Sequence, residues 1–130
     1  MSEDKNRYDQ GMALRRTVLG ASHVEAATAA SSSFDADFQK LITESAWGSV
    51  WSSPKLSLRE RSMITIALLA ALGHWAEVAM HIRATKNTGA SIDDVKEALM
   101  HVAIYAGVPA ANHAFNIAKE TYAEMARAEK

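Results

Sequence analysis

The chain has 130 residues and a mass of 14.1 kDa, the size of one domain and too small for two separate hydrophobic cores. Its formal net charge is −1, so no basic excess points to nucleic acid. It has no cysteine, which removes disulfides, zinc–thiolate sites, iron–sulfur clusters and thiol nucleophiles together. Chemistry is left to His, carboxylates, Arg, Lys, Tyr or Ser, or to a cofactor.

The N-terminus is charged from Glu3 to Arg7 and no apolar run follows, so no secretory signal is expected. The longest apolar stretch, 63–73, is interrupted by Thr65 and falls short of the roughly 20 residues that span a bilayer. A soluble cytoplasmic protein with no membrane partner is the expectation.

Six glycines and two prolines leave few breaks, which favours long helices. Tyr8, Met12, Arg15 and Leu19 recur at helical spacing, and Gly20 offers a stop. Residues 26–33 are Ala/Ser-rich and aperiodic, and read as a linker ending at an N-cap, Ser33 or Asp35. A helix is expected from Ala36 to Trp51, with Phe34, Phe38, Leu41, Ile42, Ala46 and Val50 on its apolar face. Glu44 falls mostly on the other face, and Trp47 and Trp51, four apart, stack along one side of the helix. Pro54 closes this segment.

Ser57 and Glu60 form a capping box for the next helix. From Met63 that helix is apolar on nearly every side, the pattern of a helix buried all round. Gly73 separates it from a helix over 74–88, which ends at Gly89. Ser91 and Asp94 open another, with Val95, Leu99, Val102 and Ala106 as its core stripe. Gly107 stops it, and Pro109 suits the first turn of a last helix. Ala110, Ala114, Ile117, Ala118, Thr121 and Met125 run down the inner side of that helix. No segment alternates with period two, so the fold class is all-α, a single-domain helical bundle of about six helices. Residues 1–33 form an N-terminal arm and linker, and 34–127 the helical core.

One polar set does not suit a core. His74, Glu77 and His81 lie at i, i+3 and i+7, on one helical stripe. Glu77 sits four residues before His81, so its carboxylate can orient that imidazole and favour its protonated form. The spacing matches neither H-E-x-x-H nor the E-x-x-H of di-iron bundles, so no metal is expected. A solvated or interface stripe explains the same residues equally well. Arg61 stands where the chain turns apolar and could hold a carboxylate bidentately, while Arg59 reads as a surface arginine. His101, Tyr105 and His113 read as satisfied polar groups, and Trp75 as a packing anchor.

Longer blocks carry a resemblance. They include Ala46-Trp47-Gly48-Ser49-Val50-Trp51, Leu58-Arg59-Glu60-Arg61-Ser62 and Ala84-Thr85-Lys86-Asn87-Thr88-Gly89-Ala90-Ser91. Tyr105-Ala106-Gly107-Val108-Pro109-Ala110-Ala111-Asn112-His113-Ala114 is the most specific. Together they resemble the carboxymuconolactone decarboxylase family over nearly the whole chain. The resemblance implies an alkylhydroperoxidase D-like helical fold. It also implies cofactor-independent decarboxylation of 4-carboxymuconolactone, a lactone dicarboxylate, to 3-oxoadipate enol-lactone in protocatechuate catabolism. A homo-oligomer, commonly a trimer of dimers, is implied as well. Redox relatives carry C-x-x-C-x-x-x-H on the matching helix, where this chain has His74, Glu77 and His81. That comparison makes His81, Glu77 and His74 the catalytic candidates, and Arg61, from its place before the apolar helix, is the substrate-binding candidate. One departure is Trp51-Ser52-Ser53-Pro54, where the family usually has W-x-R-P.

Overall fold

The computed structural model describes residues 2–129, with side chains from residue 5 onward. The described residues form seven α-helices and no strand. They gather into two compact units, which divide between Leu56 and Ser57.

In the first unit, α1 spans Ser2–Leu19, α2 Ala21–Ala30 and α3 Ala36–Ile42. A π-helical segment, Thr43–Trp51, continues directly from α3. Gly20, at φ +95°, turns the chain from α1 into α2, as its position after Leu19 suggests. Helix α2 corrects the linker reading of 26–33. Its Ala-rich sequence has high helix propensity but little amphipathic pattern, and only Val24 is buried in it. Asp35 is the residue before α3, but its side chain turns back to the preceding loop. It accepts from the Ser32 N–H at 2.7 Å and from the Ser31 hydroxyl at 3.1 Å. These bonds hold its carboxyl below the usual range.

The Ala36–Trp51 helix is continuous, but its buried face differs from the expected one. Phe34, at 97% exposure, and Phe38, Leu41 and Val50 face outward. Thr43, Glu44, Trp47, Gly48 and Trp51 are buried instead. The wider π turn takes more residues than an α turn, so 43, 47 and 51 fall in line and an α-helical wheel drifts off register. Trp47 and Trp51 stack as expected, with ring centroids 5.0 Å apart.

Helix α1 packs on the π segment backbone to backbone. A Cβ on Gly11 would strike the Thr43 carbonyl and come within 2.8 Å of the Gly48 nitrogen. A Cβ on Gly48 would strike the Arg7 carbonyl. Two side-chain-free positions therefore set this contact.

The second unit contains α4 (Leu58–Leu72), α5 (Trp75–Thr88), α6 (Ile92–Tyr105) and α7 (Val108–Ala128). Both capping boxes form. The Glu60 N–H donates to Ser57 Oγ at 3.1 Å, and the Ser57 N–H to Glu60 Oε1 at 2.8 Å. The Asp94 N–H donates to Ser91 Oγ at 3.0 Å, and the Ser91 N–H to Asp94 Oδ2 at 2.9 Å. The core joins Ile66 and Ala70 of α4, Val78 and Ile82 of α5, Val95, Leu99 and Val102 of α6, and Ala111, Ala114 and Ala118 of α7. Alanines on α7 let its backbone approach the other three helices closely. Ala106, expected in the α6 stripe, is exposed at the helix end.

Helix α4 is not buried all round. Ile66 and Ala70 point inward, while Ile64, Leu68 and Leu72 form an exposed apolar row at i, i+4, i+8. The neighbours of α4 within this unit cover one side of it only.

Candidate active site

The site residues are placed by the corner between α4 and α5. Gly73 adopts the left-handed conformation, φ 77° and ψ 26°, which ends α4. The Gly73 N–H donates to the Ala70 carbonyl and the His74 N–H to the Leu69 carbonyl, at 3.2 and 2.9 Å. This paired closure of the helix end fixes His74 as the residue that caps α5. The His74 carbonyl accepts the Val78 N–H at 3.0 Å, the first bond of the new helix. His74 thus lies at the helix mouth, exposed, rather than inside the helix as its spacing suggests.

Glu77 follows in the first turn of α5, where the helix dipole favours a carboxylate. It is exposed. His81 stands one turn further on and is 6% exposed, with its Nδ1 out of contact with water. The three residues are therefore graded, from two polar groups in solvent to one imidazole in the interior. Arg61, in the first turns of α4, is half-buried and its Nε is also withdrawn from water. Among the described residues no three His, Asp or Glu side chains are grouped closely enough to hold a metal ion.

Two further polar groups on α5 are buried, Thr85 and Thr88. With His81 they form an interior polar row at i, i+4, i+7, which the sequence reading did not single out. The Thr85 hydroxyl donates to the Ile82 carbonyl at 2.6 Å, and Thr88 Oγ1 accepts the Ala90 N–H at 3.5 Å. Both threonines are satisfied locally, so His81 is the member of the row that carries ionisable chemistry. On α7, burial pushes the Tyr122 phenol up, with the Thr85 hydroxyl acting in the opposite direction.

The other candidates sit elsewhere. His113 is exposed and stacks on Trp75, with centroids 4.1 Å apart and planes 9° from parallel. His101 and Tyr105 stack on the surface of α6, 6.2 Å apart. Arg59 is exposed, as expected, but it also forms a bidentate pair with Asp94.

The model of the carboxymuconolactone decarboxylase family matches residues 36–120, well over half of the chain and including all four site candidates. The chain belongs to this family. It is 43% identical over 122 residues to the 4-carboxymuconolactone decarboxylase of Acinetobacter baylyi, covering 94% of this chain and 91% of that protein. It is 36% identical over 118 residues to the nitrosuccinic acid decarboxylase of Metarhizium robertsii, covering 91% of this chain and 82% of that protein. A 4-carboxymuconolactone decarboxylase of Pseudomonas putida is 44% identical over 46 residues, 35% of this chain and 96% of that sequence. Helix α5 and its cap carry His74, Glu77 and His81 within the matched residues.

Proposed function

We propose that the protein is a cofactor-independent carboxy-lyase that decarboxylates 4-carboxymuconolactone to 3-oxoadipate enol-lactone. The single observation that carries this reading is 43% identity over nearly the full length to a decarboxylase of that name. The whole chain is taken as one functional domain of the family.

The substrate chemistry explains why no cofactor is needed. The carboxylate leaves from the γ-carbon of an unsaturated lactone. Its bonding electrons pass through the ring double bond to the lactone carbonyl, giving a dienolate. A proton then adds at the α-carbon and yields the enol-lactone. The protein must hold two carboxylates, stabilise the charge on the lactone oxygen and deliver one proton.

His81 is the proposed proton donor. Its burial supports the role, because a donor kept from bulk water delivers its proton to the substrate and not to solvent. Glu77, one turn earlier on α5, is the proposed partner of that imidazole. His74 is the proposed donor to the lactone oxygen, and the half-buried Arg61 the proposed carboxylate anchor.

A second substrate is favoured by one observation, the similarity to a nitrosuccinic acid decarboxylase. Nitrosuccinate is also a dicarboxylate, and its nitro group can take the electrons left by CO₂. The two readings separate when both compounds are supplied to the purified protein and CO₂ release is followed. Faster turnover of the lactone supports the first reading; turnover of nitrosuccinate alone replaces it.

A homo-oligomer, in the trimer-of-dimers form common in the family, belongs to the same proposal. Its support is the exposed apolar row Ile64, Leu68 and Leu72 on α4. No helix is long and apolar enough to cross a membrane among the described residues. A cytoplasmic location is proposed with the catabolic role.

A further inference from the structure

A cavity of about 580 Å³ lies within the first unit, framed by α1, α2 and the α3–π helix. This is the usual volume of a small-molecule site. Arg15 of α1 lines it. Its guanidinium is half-buried, and its Nε is out of water with no hydrogen-bond acceptor. Among the described residues, the other two nitrogens reach only neutral oxygens at long range. Nη1 and Nη2 are each 3.3 Å from Gln39 Oε1, and Nη1 is 3.4 Å from Thr43 Oγ1.

Charge-assisted bonds are normally about 2.7–2.9 Å long, so this guanidinium lacks the partner it is built for. Two carboxylates line the cavity, Asp37 and Glu44, and Lys40 Nζ lies 3.1 Å from both oxygens of Glu44. Burial lowers the Arg15 pKa, as expected for a cation without a counter-ion. The guanidinium stays charged at any working pH regardless. Lys5 and Lys40 add two further cations to the lining, while Tyr8 and Met12 supply an aromatic ring and a thioether.

We propose that this cavity binds a small organic carboxylate, its carboxylate bidentate on Arg15 and its apolar body against Tyr8 and Met12. A planar guanidinium with free donors matches the two oxygens of a carboxylate. The volume and the apolar wall select a ligand with a hydrocarbon or aromatic body over a bare inorganic anion. The site is made entirely by the first unit, so it does not depend on the roles proposed for His74, Glu77, His81 or Arg61.

Calorimetric titration of the intact protein with three probes tests it. Benzoate carries charge and body, inorganic phosphate charge alone, and benzamide body alone. The expected result is benzoate binding with a Kd on the order of 1 mM or tighter, with phosphate and benzamide much weaker. Arg15→Gln should weaken benzoate at least about tenfold. Lys5→Glu, at an exposed position that cannot disturb the fold, should weaken it by a smaller factor. Arg61→Gln should leave it unchanged. Absence of benzoate binding overturns the proposal, and so does equal binding by Arg15→Gln and Lys5→Glu. Loss of binding in Arg61→Gln alone assigns the ligand to the second unit and also overturns it. Phosphate binding as tight as benzoate removes the apolar body from the assignment and overturns it in the stated form.

Discussion

Arg59 and Asp94 join the first turn of α4 to the first turn of α6 through two parallel hydrogen bonds, both 2.7 Å long. Asp94 is already the capping-box residue of α6, so one carboxylate holds its own helix start and anchors that of a neighbour. The Arg59 guanidinium and the Ser91 N–H hold the Asp94 carboxyl well below the usual carboxylate range.

A pH dependence follows. The carboxyls of Asp94, Glu60 and Asp35 are all lowered in the folded chain. In the unfolded chain they titrate near their ordinary values, about 4. Their contribution is therefore complete above about pH 4 and is lost as pH falls toward the folded values. Urea midpoints should fall with acidification below that point. Asp94→Asn should flatten the slope, and added salt should reduce the difference because the pair is exposed. An unchanged acid slope in Asp94→Asn contradicts this role.

Gly11→Ala tests the contact between α1 and the π segment. In an open helix this change stabilises by about 1 kcal/mol through propensity. Here the added methyl meets backbone, which cannot give way as a side chain can. Overpacking of this kind costs about 1–3 kcal/mol, so the net change should be destabilising. Gly48→Ala should behave alike. A raised denaturation midpoint in either variant contradicts the packing described.

Leu68→Glu tests self-association. Leu68 lies on the exposed row of α4, away from the Ile66–Ala70 side, so the fold of the chain should survive. Sedimentation should show a smaller species than the unmodified protein. Leu99→Ala, in the core, should instead cost about 2–5 kcal/mol of stability. An unmodified protein that sediments as a monomer at micromolar concentration removes the oligomer from the proposal.

The second unit was the more legible in the sequence. Its breaks are Gly73, Gly89 and Gly107, all at positive φ, and its starts are capping boxes at Ser57 and Ser91. These signals are local, and local chemistry decides them. The first unit was less legible because its determinants are not local. Along the α3–π helix Phe38, Leu41 and Val50 face outward and Glu44 inward, and Gly11 matters only through its approach to Thr43 and Gly48. Helix α2 carries almost no pattern for a helical wheel to find.

The candidate site was partly legible. The spacing put His74, Glu77 and His81 on one stripe, but it treated them as equivalent. The closure at Gly73 moves His74 out of the helix, and only His81 of the three is buried. Burial depends on what packs against the helix, which spacing does not encode. Thr85 and Thr88 escaped notice because threonine is as common on helix surfaces as inside. The surroundings of Arg15 were not legible because its neighbours Gln39 and Thr43 are more than twenty residues away in sequence.

The most direct test of the catalytic assignment is steady-state turnover of 4-carboxymuconolactone, read as ultraviolet loss together with CO₂ release. The unmodified protein should turn the lactone over without added metal or cofactor. His81→Ala should lower kcat by about 10²–10⁴-fold, the usual worth of a positioned acid, and Glu77→Gln should lower it by less. Folded His81→Ala and Glu77→Gln proteins that both keep near-normal kcat would contradict the assignment.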